Sequence, residues 1–330
     1  MNKLIGITGA TGHIGANLVR LLLQKGYKVR ILIRKDKRAI SGLNCELIEG
    51  DILNPNSLEK LIKNTDKVIH LAAYISIKKE NDKIATKINV QGTKNVISAC
   101  LKYSVKRLVH FSSIHTFSPL PESKVVNEIS PMVDEGHLIL YDRTKAQAEK
   151  EVCKAVSKGL NAVILNPTGI IGPFDFKPSL IGQMIISLIQ GRFPALVKGG
   201  FNWVDVRDIA EVTVKALKDG KKGECYIIGG TWVSVKDLAV LVAKYSTCSI
   251  PKIIMPLWLA RVGVPFIGLY SRLMKKNPFY TRDSLYALRH HRYISYQKAV
   301  DTFGYSPRPI DQTIRDTVKW FYDNGYIKHK

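Results

Sequence analysis

The sequence predicts an α/β protein with a doubly wound parallel sheet and a smaller C-terminal lobe. Short runs rich in β-branched residues alternate with longer helical periods through the first half of the chain, which is typical of a parallel sheet covered by helices. Beyond Pro167 prolines recur and the alternation weakens. We therefore place one domain at residues 1–166 and a second at residues 167–330, partly interleaved with the sheet of the first.

The order of the elements follows from local patterns. The first helix has Leu18, Leu21 and Leu22 on one side, as expected of a helix that packs on a sheet. Asn56 with Glu59 three residues later predicts the N-cap of the next helix. The predicted strands are Lys3–Thr8, Lys28–Ile33, Cys45–Ile48, Lys67–Leu71, Arg107–Phe111 and Ala162–Leu165. The first predicted helix covers about Ile14–Lys25, and two later predicted helices cover about Asp82–Tyr103 and Tyr141–Lys158.

Charge and composition restrict the class of protein. The formal net charge is +23, but the basic residues lie in small dispersed groups, which favours a solvated surface. Such a charge also suits an anionic ligand, an anionic membrane or nucleic acid, and without a long cationic tail we expect no nucleic-acid partner. No signal pattern and no run of roughly 20 apolar residues is present, so we expect a cytoplasmic protein. The spacing of the cysteines and histidines predicts no metal site.

A glycine-rich turn joins the first strand to the first helix. In a dinucleotide-binding turn the first glycine permits a sharp bend, the second lets the backbone approach a pyrophosphate, and the third lets helix pack on strand. The helix N-terminus then offers N–H groups and a positive dipole end to the phosphates. The spacing is G-x-x-G-x-x-G, yet its position predicts a Rossmann-type cofactor domain. The predicted cofactor-binding residues here are Gly9, Thr11, Gly12, His13, Ile14 and Gly15, with His13 as an exposed loop residue rather than an acid or base.

The residue after the second strand indicates which dinucleotide binds. NAD(H)-specific folds have an acidic residue there for the ribose 2′-hydroxyl, whereas this chain has Arg34 followed by Lys35. A guanidinium suits the 2′-phosphate of NADP(H) through charge-assisted hydrogen bonds. We therefore expect NADP(H), with NAD(H) as the alternative cofactor. If these residues bind no ligand, they are only a solvated basic turn in a basic protein. Asp51, after the third strand, is placed to receive the adenine amino group.

A phenol and an ammonium group lie four residues apart at the start of a predicted helix. Tyr141 and Lys145 therefore share one face of that helix. A cation within about 4–6 Å lowers the pKa of an acid by roughly 1–3 units, which would bring a phenol toward proton exchange at neutral pH. Ser113 follows the fifth strand at the same edge of the sheet, where a hydroxyl can bind a carbonyl oxygen. The three side chains together predict a catalytic site.

The chain resembles the extended branch of the short-chain dehydrogenase/reductase superfamily, which includes the NAD-dependent epimerase/dehydratase family. The matching motifs follow in order along almost the whole sequence. They are the glycine turn, Gly50-Asp51-Ile52, His70-Leu71-Ala72-Ala73, Asn89–Val96, Phe111–Ile114, Tyr141 with Lys145, Asn166–Pro173 and Trp203–Asp208.

The resemblance implies a Ser-Tyr-Lys triad in an NADP-binding Rossmann domain. Tyr141 would be the proton donor or acceptor, Lys145 would bind the nicotinamide ribose and lower the pKa of the tyrosine, and Ser113 would orient the carbonyl. Ser113 is preferred to Ser112 because family members usually place the serine four residues before an aromatic residue, here Phe117. The cofactor-binding residues that the resemblance adds are Asp51, Ile52, Leu71, Ala72, Ala73, Asn89, Tyr141, Lys145, Pro167 and Thr168.

Three functions remain open at the level of sequence. Arg34, the run Phe111–Ile114 and the segment Asn166–Gly169 are most similar to dihydroflavonol-reductase and 3β-hydroxysteroid-dehydrogenase-like members, which act on ketone or alcohol groups of bulky, often apolar substrates. We therefore expect an NADP(H)-dependent oxidoreductase with a small-molecule substrate. A nucleotide-sugar epimerase or dehydratase is the alternative. A non-catalytic NADP sensor or nucleic-acid binder is the third, although such proteins typically lose the tyrosine or the lysine.

The segment 253–276 has two interpretations. Apolar and aromatic residues dominate it, Arg261 and Arg272 are spaced along it, and Pro256 and Pro265 divide it into short helical pieces. It is either a wall of the substrate pocket or a peripheral contact with an anionic membrane. A homodimer is also compatible with the sequence.

Overall fold

A seven-stranded sheet occupies the centre of the computed structural model, which describes residues 4–75, 82–121, 124–193, 195–263 and 281–328. The strands are β1 (Leu4–Thr8), β2 (Lys28–Ile33), β3 (Glu46–Glu49), β4 (Lys67–His70), β5 (Arg107–Phe111), β6 (Ala162–Pro167), β7 (Gly169–Ile171), β8 (Leu196–Val197), β9 (Gly200–Asp205), β10 (Cys225–Ile228), β11 (Thr231–Ser234) and β12 (Ile254–Met255). The order in the large sheet is β10-β6-β5-β4-β1-β2-β3, and all of its neighbours are parallel. This sheet confirms the predicted doubly wound α/β fold.

Helices cover both faces of this sheet, and further helices belong to the C-terminal region of the fold. They are α1 (His13–Gln24), α2 (Pro55–Ile62), α3 (Asp82–Thr86), α4 (Gly92–Lys102), α5 (Leu140–Ser157), α6 (Leu180–Ile189), α7 (Val206–Asp219), α8 (Val235–Lys244), α9 (Arg282–Ala287), α10 (Gln297–Phe303) and α11 (Ile310–Asp323), with a π-helical turn at Lys87–Gln91 between α3 and α4. Successive residues of a strand enter different cores: Val109 packs with α1 and α7, and Leu108 packs with α2 and α4. Burying a side chain of this kind stabilises the fold by about 1.5–3 kcal/mol.

The strand order reverses at β1. The chain proceeds from β1 to β2 and β3 on one side, and then returns to place β4, β5 and β6 on the other side. In open parallel sheets, ligands bind beyond the carboxyl ends of the strands at such a reversal. The glycine turn after β1, the segment after β4 and Ser113 after β5 all lie at this edge.

Two predicted helix features differ from the structure. Asn54, not Asn56, is the N-cap of α2: its Oδ1 accepts a hydrogen bond from the backbone N–H of Asn56 at 2.9 Å. Pro55 then occupies the first helical position, where its missing N–H costs nothing. The long helix predicted from Asp82 is interrupted by the π-turn, which contains Asn89.

Residues after Pro167 contribute to both parts of the fold. Strand β10 pairs with β6 and completes the large sheet. A second core, which includes Ile185, Trp203, Leu238 and Phe321, joins α6, β9, α8 and α11. Two smaller sheets, β11-β9-β7 and β12-β8, belong to this region.

The segment 253–276 is described only as far as Gly263, so Pro265 and Arg272 lie outside the described residues. Trp258 and Val262 are 67% and 60% exposed. The pocket wall and the membrane contact both stay predictions. Across the described ranges, none of the helices has the length and hydropathy that crossing a bilayer requires.

Candidate active site

The glycine turn is closely packed at Gly9 and Gly15 and open at Gly12. Gly9 has φ +73, and a Cβ atom there would lie 2.6 Å from the backbone nitrogen of Ala72. A Cβ atom on Gly15 would lie 2.4 Å from the carbonyl oxygen of Gly9. At Gly12 the same construction meets only the Gly9 oxygen, at 3.3 Å. Among the described residues no side chain caps α1 at Gly12, so its first N–H groups are available to an anion. These features fit a pyrophosphate at Gly12.

Alanine at two of these glycines should separate packing from cofactor binding. Gly15→Ala should lower the free energy of unfolding by about 1–3 kcal/mol, because the new methyl group overpacks the turn. Gly12→Ala should change stability by less than about 1 kcal/mol and weaken dinucleotide binding by at least about tenfold. Urea unfolding and titration with NADPH measure the two effects. Unchanged NADPH affinity in Gly12→Ala would argue against a pyrophosphate at this turn.

The side chain of His13 is not the exposed loop group that the sequence suggested. Its Nε2 lies 3.1 Å from the carbonyl oxygens of both Gly172 and Pro173. Asn17, one turn later on α1, donates to the Pro173 oxygen at 3.0 Å. His13 therefore fastens the cofactor turn to the segment after β7, a contact between residues far apart in sequence.

Arg34 follows β2 with an exposed side chain. Its acidic neighbour Asp36 is engaged by Arg38, which donates from Nε at 3.0 Å and from Nη2 at 2.7 Å. These hydrogen bonds lower the pKa of Asp36 to about 2. Within the described ranges no carboxylate pairs with Arg34 or Lys35. The end of β2 thus presents uncompensated positive charge to a ligand.

The segments after β3 and β4 complete the edge of this crevice. One Asp51 oxygen accepts from the Leu53 N–H at 2.9 Å, and Ile52 is buried against Gly92. Ala72 donates its N–H to the Thr8 hydroxyl at 3.3 Å, and Leu71 donates to the Thr8 carbonyl at 3.1 Å. These segments lie at the carboxyl edge of the sheet beside the glycine turn, and the contacts of Thr11, Ile14 and Ala73 with a cofactor stay predictions.

Ser113 and Tyr141 meet at the carboxyl end of β5. Burial raises the pKa of the Tyr141 phenol to about 12, although a hydrogen bond with Ser113 acts in the opposite direction. The Ser113 hydroxyl also accepts from the His115 backbone N–H at 3.2 Å. The hydroxyl of Ser113 thus interacts with the phenol of Tyr141. Ser112 instead interacts with Glu149. Burial raises the pKa of Glu149, and Ser112 is one of the groups that lower it.

Lys145 lies one turn beyond Tyr141 on α5 and is almost completely buried. Its Nζ donates to the Phe111 carbonyl at 2.5 Å. Asn89, in the π-turn, donates to the Thr144 hydroxyl at 3.0 Å and exchanges two hydrogen bonds with the Tyr74 backbone. The Lys145 side chain is therefore fixed by a hydrogen bond to β5, and the helix that carries it is fixed by the hydrogen bond from Asn89 in the π-turn.

The spacing of Lys145 and Tyr141 predicted a lowered pKa for the tyrosine, and the structure shows a different balance. Lys145 is buried and Tyr141 is partly buried, and burial disfavours the charged form of each. It raises the pKa of Tyr141 to about 12 and lowers the pKa of Lys145 to about 8. At neutral pH the phenol therefore keeps its proton, which is the form that can protonate a carbonyl oxygen.

A group of histidines around Asp142 was not predicted. Asp142 is buried, and His137 Nε2 lies 3.0 Å from its Oδ2. The His115 ring contacts Tyr141 edge-on, with ring centroids 6.3 Å apart, and contacts His291 in the same way at 5.7 Å. Asp142 directly follows Tyr141 in the sequence, so its place near the active site could have been predicted. The histidines come from distant segments, and no spacing pattern joins them.

A cavity of about 110 Å³ opens beside these side chains. Ile114 and His115, directly after Ser113, form one part of its wall, and Thr168 another. Phe201 and Trp203 from β9 give it an apolar side. Among the described residues no group of three potential ligands could hold a metal ion. The arrangement is a protonated phenol and a hydroxyl next to a largely apolar cavity.

Comparison with known proteins identifies the family. Residues 5–229 match the NAD dependent epimerase/dehydratase family over more than half of the chain. The chain belongs to this family. The resemblance inferred from the motifs is confirmed, and with it the expected class of NAD(P)-dependent oxidoreductase enzymes.

Individual relatives cover most of the chain. Sterol demethylase protein B of Methylococcus capsulatus is 31% identical over 97% of this chain and 99% of its own length. The 4-hydroxy-2-methyl-3-oxo-4-farnesyl-3,4-dihydroquinoline-1-oxide ketoreductase of Stigmatella aurantiaca is 29% identical over 72% of each chain. The crystal structure of gox2253 matches with a TM-score of 0.86 at 31% identity, over 99% of this chain and 100% of that chain.

Proposed function

We propose that this protein is an NADP(H)-dependent oxidoreductase that interconverts a ketone and a secondary alcohol on a bulky, mainly apolar small molecule. One observation carries the proposal: the Ser113 hydroxyl acts on the pKa of the Tyr141 phenol, Lys145 follows one turn later on the same helix, and His115, whose ring contacts Tyr141, lines a cavity with an apolar side. The names of two relatives, which refer to a sterol and to a farnesyl-bearing ketone, support a substrate of this kind.

Each side chain has one task in this proposal. Ser113 holds the substrate oxygen by a hydrogen bond, and Tyr141 gives that oxygen its proton in reduction or removes it in oxidation. Lys145 places its positive charge near the phenol and stabilises the phenolate that remains after proton donation. The bound nicotinamide supplies or accepts the hydride. The apolar side of the cavity, formed by Phe201 and Trp203, limits the access of water to the reacting carbonyl.

The cofactor proposal rests on the charge at the end of β2. Asp36 pairs with Arg38, so the exposed side chains of Arg34 and Lys35 at the end of β2 have no carboxylate partner among the described residues. A ribose 2′-phosphate would be attracted to them, whereas an unphosphorylated ribose would gain little. The established family property is dependence on NAD(P), and the preference for NADP(H) is our proposal.

Reversal of one charge should change the cofactor preference. Arg34→Glu should reduce the preference for NADPH over NADH by well over tenfold, equivalent to about 1.4 kcal/mol or more, because a carboxylate repels the 2′-phosphate and can bind the 2′-hydroxyl. Fluorescence titration with both cofactors measures this. Lys222→Glu, an exposed site with the same change of charge, is the control. Equal binding of the two cofactors by the unmutated protein would contradict the argument.

Turnover with a substrate panel tests the activity itself. The protein should oxidise NADPH with rigid fused-ring ketones, steroids or aromatic ketones, and should act weakly on short-chain ketones that do not fill the cavity. Nucleotide-sugars test the alternative. Conversion of a nucleotide-sugar without net oxidation of cofactor, together with no activity on any ketone, would overturn the proposal in favour of an epimerase or dehydratase.

A further inference from the structure

The cavity beside Tyr141 has a polar side formed by three histidines, His115, His290 and His291, which we call the histidine end. The two other polar residues of the wall are already engaged. Both side-chain atoms of Asn202 bond to the backbone of Gly230, at 2.7 and 3.1 Å. The Thr168 hydroxyl donates to the Ile228 carbonyl at 3.5 Å. Recognition of a polar substrate group therefore falls to the histidine end.

The hydrogen bond of His291 determines its tautomer. Its Nε2 lies 3.1 Å from the Phe117 carbonyl oxygen, which can only accept, so Nε2 carries a proton. Burial lowers the pKa of His291 to about 4, so the ring is neutral at physiological pH. A neutral ring with a proton on Nε2 has none on Nδ1. The remaining polar atom of His291 is therefore a hydrogen-bond acceptor.

The other two rings are also held in place. His290 Nδ1 lies 2.7 Å from the Tyr286 carbonyl oxygen, which can only accept, so Nδ1 carries a proton. Burial lowers the pKa of His115 to about 3, so this ring is neutral as well. His115 and His291 are thus neutral imidazoles rather than cations.

The backbone at His291 supports a role for this side chain. His291 has φ +57, in the left-handed region that costs free energy for a residue with a Cβ atom. The chain beyond it is fixed to the loop after Ser113: Val126 and Tyr293 bond at 2.9 Å, and Ser295 and Val126 bond at 2.9 Å. Strained residues that neighbouring contacts hold in place are concentrated at ligand sites.

We infer that the histidine end binds a hydroxyl group of the substrate, with His291 as the acceptor, and that it selects hydroxylated ketones over the same ketones without this hydroxyl. At His291 Nδ1, a second carbonyl or a carboxylate would place its oxygen lone pairs against the lone pair of the ring nitrogen. An ammonium group is the other donor, but the net charge of +23 disfavours a cationic ligand. The inference rests on the proposed function and makes it more specific.

A matched substrate series tests the inference. The probe is a rigid fused-ring ketone together with positional isomers that carry one added hydroxyl, each assayed for kcat/KM with NADPH. At least one isomer should exceed the parent ketone by about tenfold or more, as expected when a buried acceptor gains a donor. His291→Leu should remove this preference, so that kcat/KM for the preferred isomer falls to within about twofold of kcat/KM for the parent ketone. His291→Asn tolerates the left-handed backbone and keeps an acceptor, so it should retain part of the preference.

The outcomes separate the inference from the proposed function. If no isomer is preferred by the wild type, or if His291→Leu lowers kcat/KM equally for parent and isomer, the inference is wrong and His291 only supports the loop after Ser113. If no ketone of the series oxidises NADPH, the proposed function itself fails. If the His291→Leu variant does not fold, the wild-type series and the His291→Asn variant still test whether His291 binds the substrate hydroxyl.

Discussion

Tyr141→Phe should lower kcat by about 10²–10⁴-fold, because the substitution removes the group that exchanges a proton with the substrate oxygen. Only one oxygen atom is lost, so NADPH binding and the free energy of unfolding should change little. The measurement is steady-state turnover of the best ketone, together with a fluorescence titration of NADPH. Turnover within threefold of the wild type would exclude Tyr141 as the proton donor.

A tyrosine outside the site provides the matched control for this change. Tyr27 lies in the turn between α1 and β2, away from the cavity. Tyr27→Phe removes the same atom and should leave both kcat and KM at wild-type values. A comparable loss of activity in Tyr27→Phe would indicate that the effect in Tyr141→Phe is not specific to the site.

Lys145→Met should also abolish most turnover, by at least about a hundredfold, while the protein stays folded. The Lys145 ammonium is almost completely buried, and burial lowers its pKa to about 8, so the fold gains little from this charge. Replacement of a buried ion by an apolar side chain of similar length is often neutral for stability. The loss of activity has a different cause, since a tyrosine phenolate without a neighbouring cation is harder to form.

Lys150→Met controls for the removal of a lysine from the same helix. Lys150 is exposed on α5, and its substitution should leave kcat and thermal stability nearly unchanged. Thermal unfolding and kcat are to be measured for both variants. If Lys145→Met unfolds at wild-type temperature and retains activity, Lys145 does not assist the phenol.

Much of the cofactor crevice could be predicted because its signals are local. The glycine turn, Arg34 after β2 and the pair Tyr141 and Lys145 are each defined by residues a few positions apart. Strand ends in a parallel sheet share one edge, so the motifs that follow β1, β4 and β5 had to converge. Local periodicity was also sufficient to predict the large sheet.

The features that escaped prediction depend on contacts between distant segments. His13 reaches the carbonyls of Gly172 and Pro173, 159 and 160 residues away. The histidine end combines His115 with two residues near position 290, which no spacing rule connects. The pKa of Tyr141 was expected to fall because a neighbouring charge is visible in sequence, whereas burial, which raises it, is visible only in the fold.

Transfer of label from cofactor to product tests the central claim most directly. The protein is incubated with a fused-ring ketone and NADPH that carries deuterium at the reactive C4 position, and the product is examined by mass spectrometry. We expect a secondary alcohol with one deuterium on its carbinol carbon, formed by the wild type and nearly absent with Tyr141→Phe. Recovery of unreduced ketone with every substrate, alongside unlabelled rearrangement of a nucleotide-sugar, would contradict it.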